Sequence, residues 1–144
     1  MTEIDVLQDV LANEHAAVYV LGVIGARTSE TTDPDLYLTV RAAYDAHRGR
    51  RDLLTGEIAT AGAEPVTSAT AYEVPTGLET TDGVTLAGLE VERASADVYA
   101  AAVAATTTGH RALMIGALND AAVRELGLRG TPEMFPGADE FTDR

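Results

Sequence analysis

Residues 63–81 read AEPVTSATAYEVPTGLETT and separate two pairs of long helical segments. Pro65, Pro75 and Gly77 interrupt this stretch, which has no sustained helical period. A helix of about 25 residues is roughly 37 Å long, whereas this many residues span up to about 60 Å when extended. The stretch can therefore run the whole length of a helical bundle, and we expect it to be a crossover connection between the second and third helices.

Apolar periodicity predicts four helices around this connection, over approximately residues 5–29, 34–61, 82–107 and 110–126. Pro34 suits the first position of the second helix, with Asp33 as its cap. Four-helix bundles with one long crossover are typical of ferritin-like folds. The expected fold class is therefore all-α, a ferritin-like four-helix bundle with a long crossover between helices 2 and 3.

The length of 144 residues indicates one domain. We expect the bundle to occupy residues 1–127, because Gly127 is a good stop for the fourth helix. Residues 128–144 are expected to form a tail that packs on the bundle, anchored by Phe135, with a mobile acidic end.

The chain is strongly acidic, with 23 Asp and Glu, ten Arg, no Lys and a net charge of -13. Nucleic acid and anionic membrane surfaces are therefore poor partners, because both require clustered positive charge. The absence of Cys excludes disulfides and thiolate chemistry. The acidic start, residues 1–5, lacks the basic segment of a secretory signal, and we expect a cytoplasmic protein.

Polar side chains interrupt the apolar faces of three helices. Glu14 lies on the line of Leu7, Leu11 and Leu21, and His47 and Glu92 interrupt helices 2 and 3 in the same way. Buried polar groups cost free energy unless they are paired. We therefore expect these residues to form a buried network or a ligand site, with two neighbours of His47 included: Glu14, Tyr44, His47, Arg51 and Glu92.

A di-iron centre of the ferritin-like kind uses about six inward-facing ligands, including a Glu-x-x-His motif on each of two helices. Tyr44 stands where the Glu before His47 should be, and helix 4 has no such motif. A di-iron centre is therefore not expected. A single Fe or Mn ion held by Glu14, His47 and Glu92 stays open as an alternative, and no other cofactor is indicated.

Other polar residues have structural explanations. Arg48, Arg50 and Arg51 resemble a phosphate site, but Asp45 and Asp52 are close enough in sequence to pair with them. We expect His15 to make a helix–helix contact and His110 to be exposed. The chain has no Gly-x-Ser-x-Gly elbow and no glycine-rich phosphate loop, which favours a protein that is not an enzyme and leaves the question open.

The chain resembles the actinobacterial ferritin-like family of domains of unknown function. The resemblance implies a ferritin-like four-helix fold and no established activity. It is carried by segments in order along nearly the whole chain: EHAAVY at 14–19, AYDAHR at 43–48, VYA at 98–100, AAVR at 121–124 and FPG at 135–137.

The leading interpretation is a non-catalytic scaffold or interaction module with a buried polar core. A homodimer through an Ala-rich or Gly-rich helix face is one form compatible with it. The sequence does not identify another protein partner. The alternative is a metal-binding protein or oxidase with an incomplete, mononuclear Fe or Mn site. A third interpretation is a pocket between helices for a small apolar or acidic ligand, lined by Tyr44, Arg51 and Tyr72.

Overall fold

The computed structural model describes residues 1–129 and 131–138, and within them the chain is an all-α four-helix bundle, as predicted. No strand occurs in those ranges. No helix among the described residues is long and apolar enough to cross a membrane. The four helices are α1 (Glu3–Gly25), α2 (Pro34–Thr60), α3 (Thr81–Ala105) and α4 (Thr108–Arg129).

The first three helices begin at capping side chains. Thr2 and Asp5 form a reciprocal capping box at the start of α1. Asp33 caps α2 with Pro34 at the first position, as predicted. Thr80 caps α3 and accepts a hydrogen bond from the Gly83 amide. These starts agree with the sequence prediction to within two residues.

The end of α4 differs from the prediction, because Gly127 does not stop the helix and the last turn continues to Arg129. The two Leu128 Cδ atoms lie 3.5 and 3.6 Å from the position that a Cβ on Gly88 would occupy. Leu128 therefore packs against α3 beside Gly88, and this tertiary packing accompanies the extension of the helix past a residue of low helix propensity.

Two apolar clusters fix the directions of the helices. One cluster joins Leu7 of α1 to residues near the end of α2, the end of α3 and the start of α4. The other joins Ile24 of α1 to Val40 near the start of α2 and Val84 near the start of α3. Consequently α2 and α3 both run antiparallel to α1, and α4 runs parallel to it. Because α2 and α3 are parallel, the chain must return along the bundle between them.

Residues 61–80 make that return along α1, as the sequence predicted. Near the start of the connection, the Gln8 side chain donates to the Glu64 carbonyl at 2.7 Å and accepts from the Val66 amide at 2.7 Å. Farther along, the rings of Tyr19 and Tyr72 lie 5.5 Å apart. The connection is thus held on α1 by hydrogen bonds between the Gln8 side chain and the backbone of the connection, and by aromatic packing.

His15 belongs to this contact, which corrects the expectation that it joins two helices. Its Nε2 lies 3.0 Å from the Val66 carbonyl oxygen. At the far end of the connection, Leu78 is buried in the second apolar cluster. There the backbone passes so close to α3 that a Cβ on Gly83 would lie 1.9 Å from the Gly77 carbonyl oxygen, so Gly83 must be glycine.

The tail is held differently from the prediction. Phe135 was expected to anchor it, but its side chain is 64% exposed. Instead Gly137, with a left-handed backbone (φ +80°), packs directly on α3, where its missing side chain leaves room for the Ala96 carbonyl and the Ala100 methyl. Arg129 also donates to the Thr131 carbonyl at 2.6 Å. The predicted mobility of the acidic end concerns residues 139–144, which lie outside the described residues.

Candidate functional site: a buried charge network

The centre of the bundle holds an imidazole between two carboxylates. His47 Nδ1 lies 2.7 Å from Glu14 Oε2, and His47 Nε2 lies 3.3 Å from Glu92 Oε1. All three residues are fully buried, and they come from α2, α1 and α3. A carboxylate on each side favours a hydrogen on each ring nitrogen, so the ring is held as an imidazolium.

Burial by itself lowers the pKa of His47, but the hydrogen bonds and charges of Glu14 and Glu92 outweigh it and raise the pKa. For Glu92 the opposite holds: burial raises its pKa, and hydrogen bonds from His47 and Arg124 outweigh that and lower it. Both shifts favour the charged forms. His47 and Glu92 are therefore held in their charged forms inside the core.

Tyr99 and Arg50 extend the network on one side. The Tyr99 hydroxyl donates to Glu14 Oε1 at 2.5 Å and accepts from Arg50 Nη1 at 2.9 Å. The Arg50 guanidinium carbon also lies 4.9 Å from the centre of the Tyr99 ring. Burial, together with the adjacent charge of Glu14, raises the pKa of Tyr99. Tyr99 is therefore a neutral bridge between a carboxylate and a guanidinium.

Helix α4 completes the network. Arg124 Nε donates to Glu92 Oε1 at 2.7 Å, and Asp120 Oδ2 lies 3.4 Å from Arg50 Nη2. The network consequently includes side chains from all four helices. Its charges balance. The three carboxylates are those of Glu14, Glu92 and Asp120, and the three cations are His47, Arg50 and Arg124.

The structure brings three of the five sequence-predicted site residues together, Glu14, His47 and Glu92. Arg51 lies outside the network and pairs with Asp52 at the surface, its Nη2 2.6 Å from Asp52 Oδ1. Tyr44 also lies outside it and lines a groove between α1 and α2. The prediction was wrong for Arg51 because consecutive residues of a helix point about 100° apart, and Arg50 has the inward position.

Sequence reasoning missed Arg50, Tyr99 and Arg124. Arg50 follows His47 by three residues and precedes the buried Leu54 by four. This spacing predicts an inward position for Arg50 as strongly as the spacing of Arg51 predicts one for Arg51. Tyr99 lies on the core line of α3, where a buried hydroxyl requires a polar partner. Arg124 was missed because a Glu-x-x-His motif was the only inward polar pattern expected on helix 4.

Within residues 1–129 and 131–138, no group of three His, Asp or Glu side chains is arranged to hold a metal ion. Glu14, His47 and Glu92 have suitable donor atoms, but they point at one another and not at a common empty point. Two atoms beside them, Glu92 Oε2 and Arg124 Nη2, are buried without a hydrogen-bond partner. As arranged, these residues do not fit a bound ion.

A third buried carboxylate, apart from Glu14 and Glu92, lies where the end of α4 meets the tail. Glu125 is 1% exposed, and its Oε2 lies 3.9 Å from Arg93 Nε and 3.7 Å from Arg129 Nη1. Neither carboxyl oxygen accepts a hydrogen bond from a described residue. Burial, followed by the charge of Glu133, raises the pKa of Glu125 to about 7.

His110 is not freely exposed, contrary to the sequence prediction. Its Nδ1 lies 2.8 Å from Glu3 Oε1 and its Nε2 lies 3.5 Å from Glu57 Oε2, and its side chain is 30% exposed. The hydrogen bond with His110 lowers the pKa of Glu3. His110 thus joins the ends of three helices at the surface of the bundle.

The chain is similar to one described family and to a solved structure. The family model described as a domain of unknown function (DUF4439) matches residues 6–140. A similar solved structure is that of a conserved hypothetical protein, rv2844, from Mycobacterium tuberculosis, with 25% sequence identity and a TM-score of 0.78. The similarity covers 88% of this chain and 87% of that chain. No curated protein matches the chain.

Proposed function

The chain belongs to the family of the domain of unknown function DUF4439, and from that premise we propose that it is a non-catalytic helical bundle that serves as a scaffold or interaction module. One observation carries this proposal. Both nitrogens of the buried His47 ring face carboxylates, Glu14 and Glu92, which leaves the imidazole no free lone pair for acid–base or ligand chemistry.

Burial and charge balance support the same conclusion. A catalytic group must reach a substrate, whereas Glu14, His47, Glu92 and Tyr99 are fully buried. A balanced buried network adds little net stability, but each partner left alone would be costly, so it penalises incorrect helix registers. The network therefore has a structural explanation: it specifies how the four helices align.

The topology supports a ferritin-like classification within this proposal. Helices α2 and α3 are parallel, and residues 61–80 return along the bundle between them. One long crossover of this kind distinguishes ferritin-like bundles from simple up-and-down bundles. We propose that this chain retains that architecture and uses ion pairs where related folds hold metal.

A mononuclear Fe or Mn site at Glu14, His47 and Glu92 is the second candidate. It is favoured by a donor set of carboxylates and imidazole and by the buried Glu92 Oε2, which has no hydrogen-bond partner. It requires His47 to give up at least one of its two carboxylate contacts. The first candidate requires no such rearrangement.

Metal analysis separates the two candidates. The protein, purified without a tag or chelator, is measured by mass spectrometry before and after anaerobic addition of Fe(II) and of Mn(II). We expect no stoichiometric ion in either case. One ion per chain that is lost in Glu14→Gln and His47→Gln, but kept in the surface control Arg51→Gln, would establish the metal candidate instead.

As the partner of the interaction module we propose a second copy of the chain, docked on the outer side of α3. Ala101, Ala104 and Ala105 are exposed there, and small side chains let another helix approach closely. Sedimentation velocity tests this assignment. We expect a dimer that Ala101→Arg converts to a monomer, and a wild-type monomer at all concentrations would contradict self-association.

A further inference from the structure

A cleft of about 470 Å³ lies between α1 and α2, separate from the buried network. We propose that it binds a small organic anion with a flat ring, held between tyrosine rings and arginine guanidinium groups. This proposal does not depend on the scaffold function. The cleft residues that carry it are Gly22, Gly25, Tyr37, Arg41, Tyr44 and Arg48.

Four of these residues form a stripe along α2. Tyr37, Arg41, Tyr44 and Arg48 follow one another at spacings of four, three and four residues, which places them on one face of the helix. Tyrosine and arginine alternate along the stripe. An aromatic ring can stack on such side chains, and a guanidinium can bind an attached carboxylate or phosphate through two hydrogen bonds.

The opposite wall of the cleft contains two glycines that helix packing does not require. A Cβ on Gly22 would lie 3.6 Å from Tyr44 Cε2, and a Cβ on Gly25 would lie 3.8 Å from Val40 Cγ1. Both distances are ordinary van der Waals contacts, so alanine would fit at either position. Because glycine destabilises a helix relative to alanine, these residues are better explained by the open surface that they leave in the cleft.

The charges of the cleft favour an anion in spite of the net charge of -13 of the whole chain. Arg41 and Arg48 line it with a single carboxylate, Asp45. Arg41 Nη1 donates to the Tyr37 hydroxyl at 3.3 Å. Within the described residues, no carboxylate lies within 4.0 Å of the Arg48 guanidinium, although Asp45 was expected to pair with it. Arg48 therefore keeps its donors available for a ligand.

The size of the cleft agrees with a small molecule, because ligand pockets commonly have volumes of about 300–1,000 Å³. A single aromatic ring with one anionic group fits within that space. The anionic group can be a carboxylate or a phosphate, since both accept two parallel hydrogen bonds from a guanidinium. Separate titrations with a carboxylate ligand and a phosphate ligand distinguish these two sources of negative charge.

Binding is tested by NMR titration of the full chain with benzoate and with phenyl phosphate, and benzamide serves as the uncharged control. We expect saturable shifts at the amides of Gly22, Gly25 and Arg48 with at least one anion, and none of comparable size with benzamide. Binding of benzoate alone or of phenyl phosphate alone would each support the proposal and identify the anionic group. Absence of saturable shifts with both anions would overturn it.

Two pairs of variants test the residues. Arg48→Gln should weaken binding by about tenfold or more, since a charge-assisted hydrogen bond is lost, whereas Arg111→Gln at the start of α4 should leave it unchanged. Gly22→Ala should weaken binding while raising the melting temperature. Gly56→Ala, with nothing within 4 Å of the new methyl group, should raise the melting temperature alone. Equal binding by wild type and Arg48→Gln would refute the assignment.

Discussion

Arg50 and Arg51 are consecutive residues of α2 with opposite environments. Arg50 Nη1 donates to the Tyr99 hydroxyl inside the bundle at 2.9 Å, whereas Arg51 Nη2 lies 2.6 Å from Asp52 Oδ1 at the surface. The two side chains are chemically identical and differ only in direction. Substituting each of them in turn therefore shows how burial of a guanidinium changes its contribution to the free energy of unfolding.

Replacing Arg50 with Gln removes the guanidinium that donates to the Tyr99 hydroxyl, while Glu14 keeps its pairing with His47. We expect Arg50→Gln to lower the free energy of unfolding by about 1.5–3 kcal/mol, because the buried Tyr99 hydroxyl loses a charged hydrogen-bond donor. Arg51→Gln should change it by no more than about 0.5 kcal/mol, because exposed ion pairs contribute little. Urea unfolding measures both, and equal effects of the two substitutions would contradict the assigned network.

The raised pKa of His47 predicts a loss of stability at alkaline pH. A base whose pKa is higher in the folded state stabilises the fold fully below its ordinary pKa, near 6.5, and this contribution disappears as the pH rises through the folded-state pKa. The lowered pKa of Glu92 acts in the other direction, because its contribution is present above pH 4.5 and is lost as the pH falls through the folded-state value.

Urea unfolding across pH 4–9 should therefore show a maximum between these two losses. Imidazole ¹⁵N NMR of the wild-type protein gives an independent measurement that does not require a variant to fold. The His47 ring should be doubly protonated at pH values above the ordinary range of histidine. A neutral His47 ring at pH 7 would show that the two carboxylates do not hold the charge as the geometry indicates.

Glu125 predicts a separate loss of stability as the pH rises from about 4.5 to about 7. Its pKa rises from 4.5 to about 7 in the folded state, so the protonated carboxyl favours the fold fully below pH 4.5, and this contribution is lost as the pH rises through the folded-state pKa. Glu125→Gln cannot ionise. It should stabilise the protein by about 1 kcal/mol at pH 8 relative to wild type, and it should have little effect at pH 5.

Urea unfolding at the two pH values checks the Glu125 prediction, with Glu90→Gln as an exposed control on α3. The control should show no difference between pH 5 and pH 8. If Glu125→Gln destabilised the protein equally at both values, the contacts of Glu125 with Arg93 and Arg129 would outweigh its burial, and the expected pH dependence would be absent.

Gly137 should determine whether the tail stays on the bundle. A Cβ at this position would lie 2.7 Å from the Ala96 carbonyl oxygen, and the backbone φ of +80° is unfavourable for alanine. Gly137→Ala should therefore release the tail and increase the rate of trypsin cleavage after Arg129. Gly127→Ala, a helical position with nothing within 4 Å, should leave cleavage unchanged and stabilise α4 by about 0.5–1 kcal/mol.

The helices and the crossover could be predicted from sequence because they depend on periodicity and segment length. Glu14, His47 and Glu92 were found by the same reasoning, since each interrupts an apolar line. The exact bounds were harder, because Gly127 lies in a helix whose last turn packs Leu128 against α3. Such tertiary contacts override local propensity and have no local signal.

The partners within the network could not be assigned from sequence. Both Arg50 and Arg51 follow His47 at helical spacings, and the small rotation of α2 that selects Arg50 depends on packing against the other helices. Phe135 was given the role of anchor because it is large and apolar. The structure shows that a glycine, Gly137, packs directly against α3, whereas Phe135 is 64% exposed.

The crossover also makes the protein a pair of tethered halves. Helices α1 and α2 form one hairpin and α3 and α4 the other, and the two are joined by residues 61–80. Each hairpin alone would leave charged side chains of the core without their partners, so neither half is expected to be stable by itself. A flexible chain of this length has an end-to-end distance of about 25 Å, which keeps each half at an effective concentration in the millimolar range around the other. Association of the hairpins is thus a unimolecular event, and a cut in the connection would make the stability of the bundle depend on protein concentration.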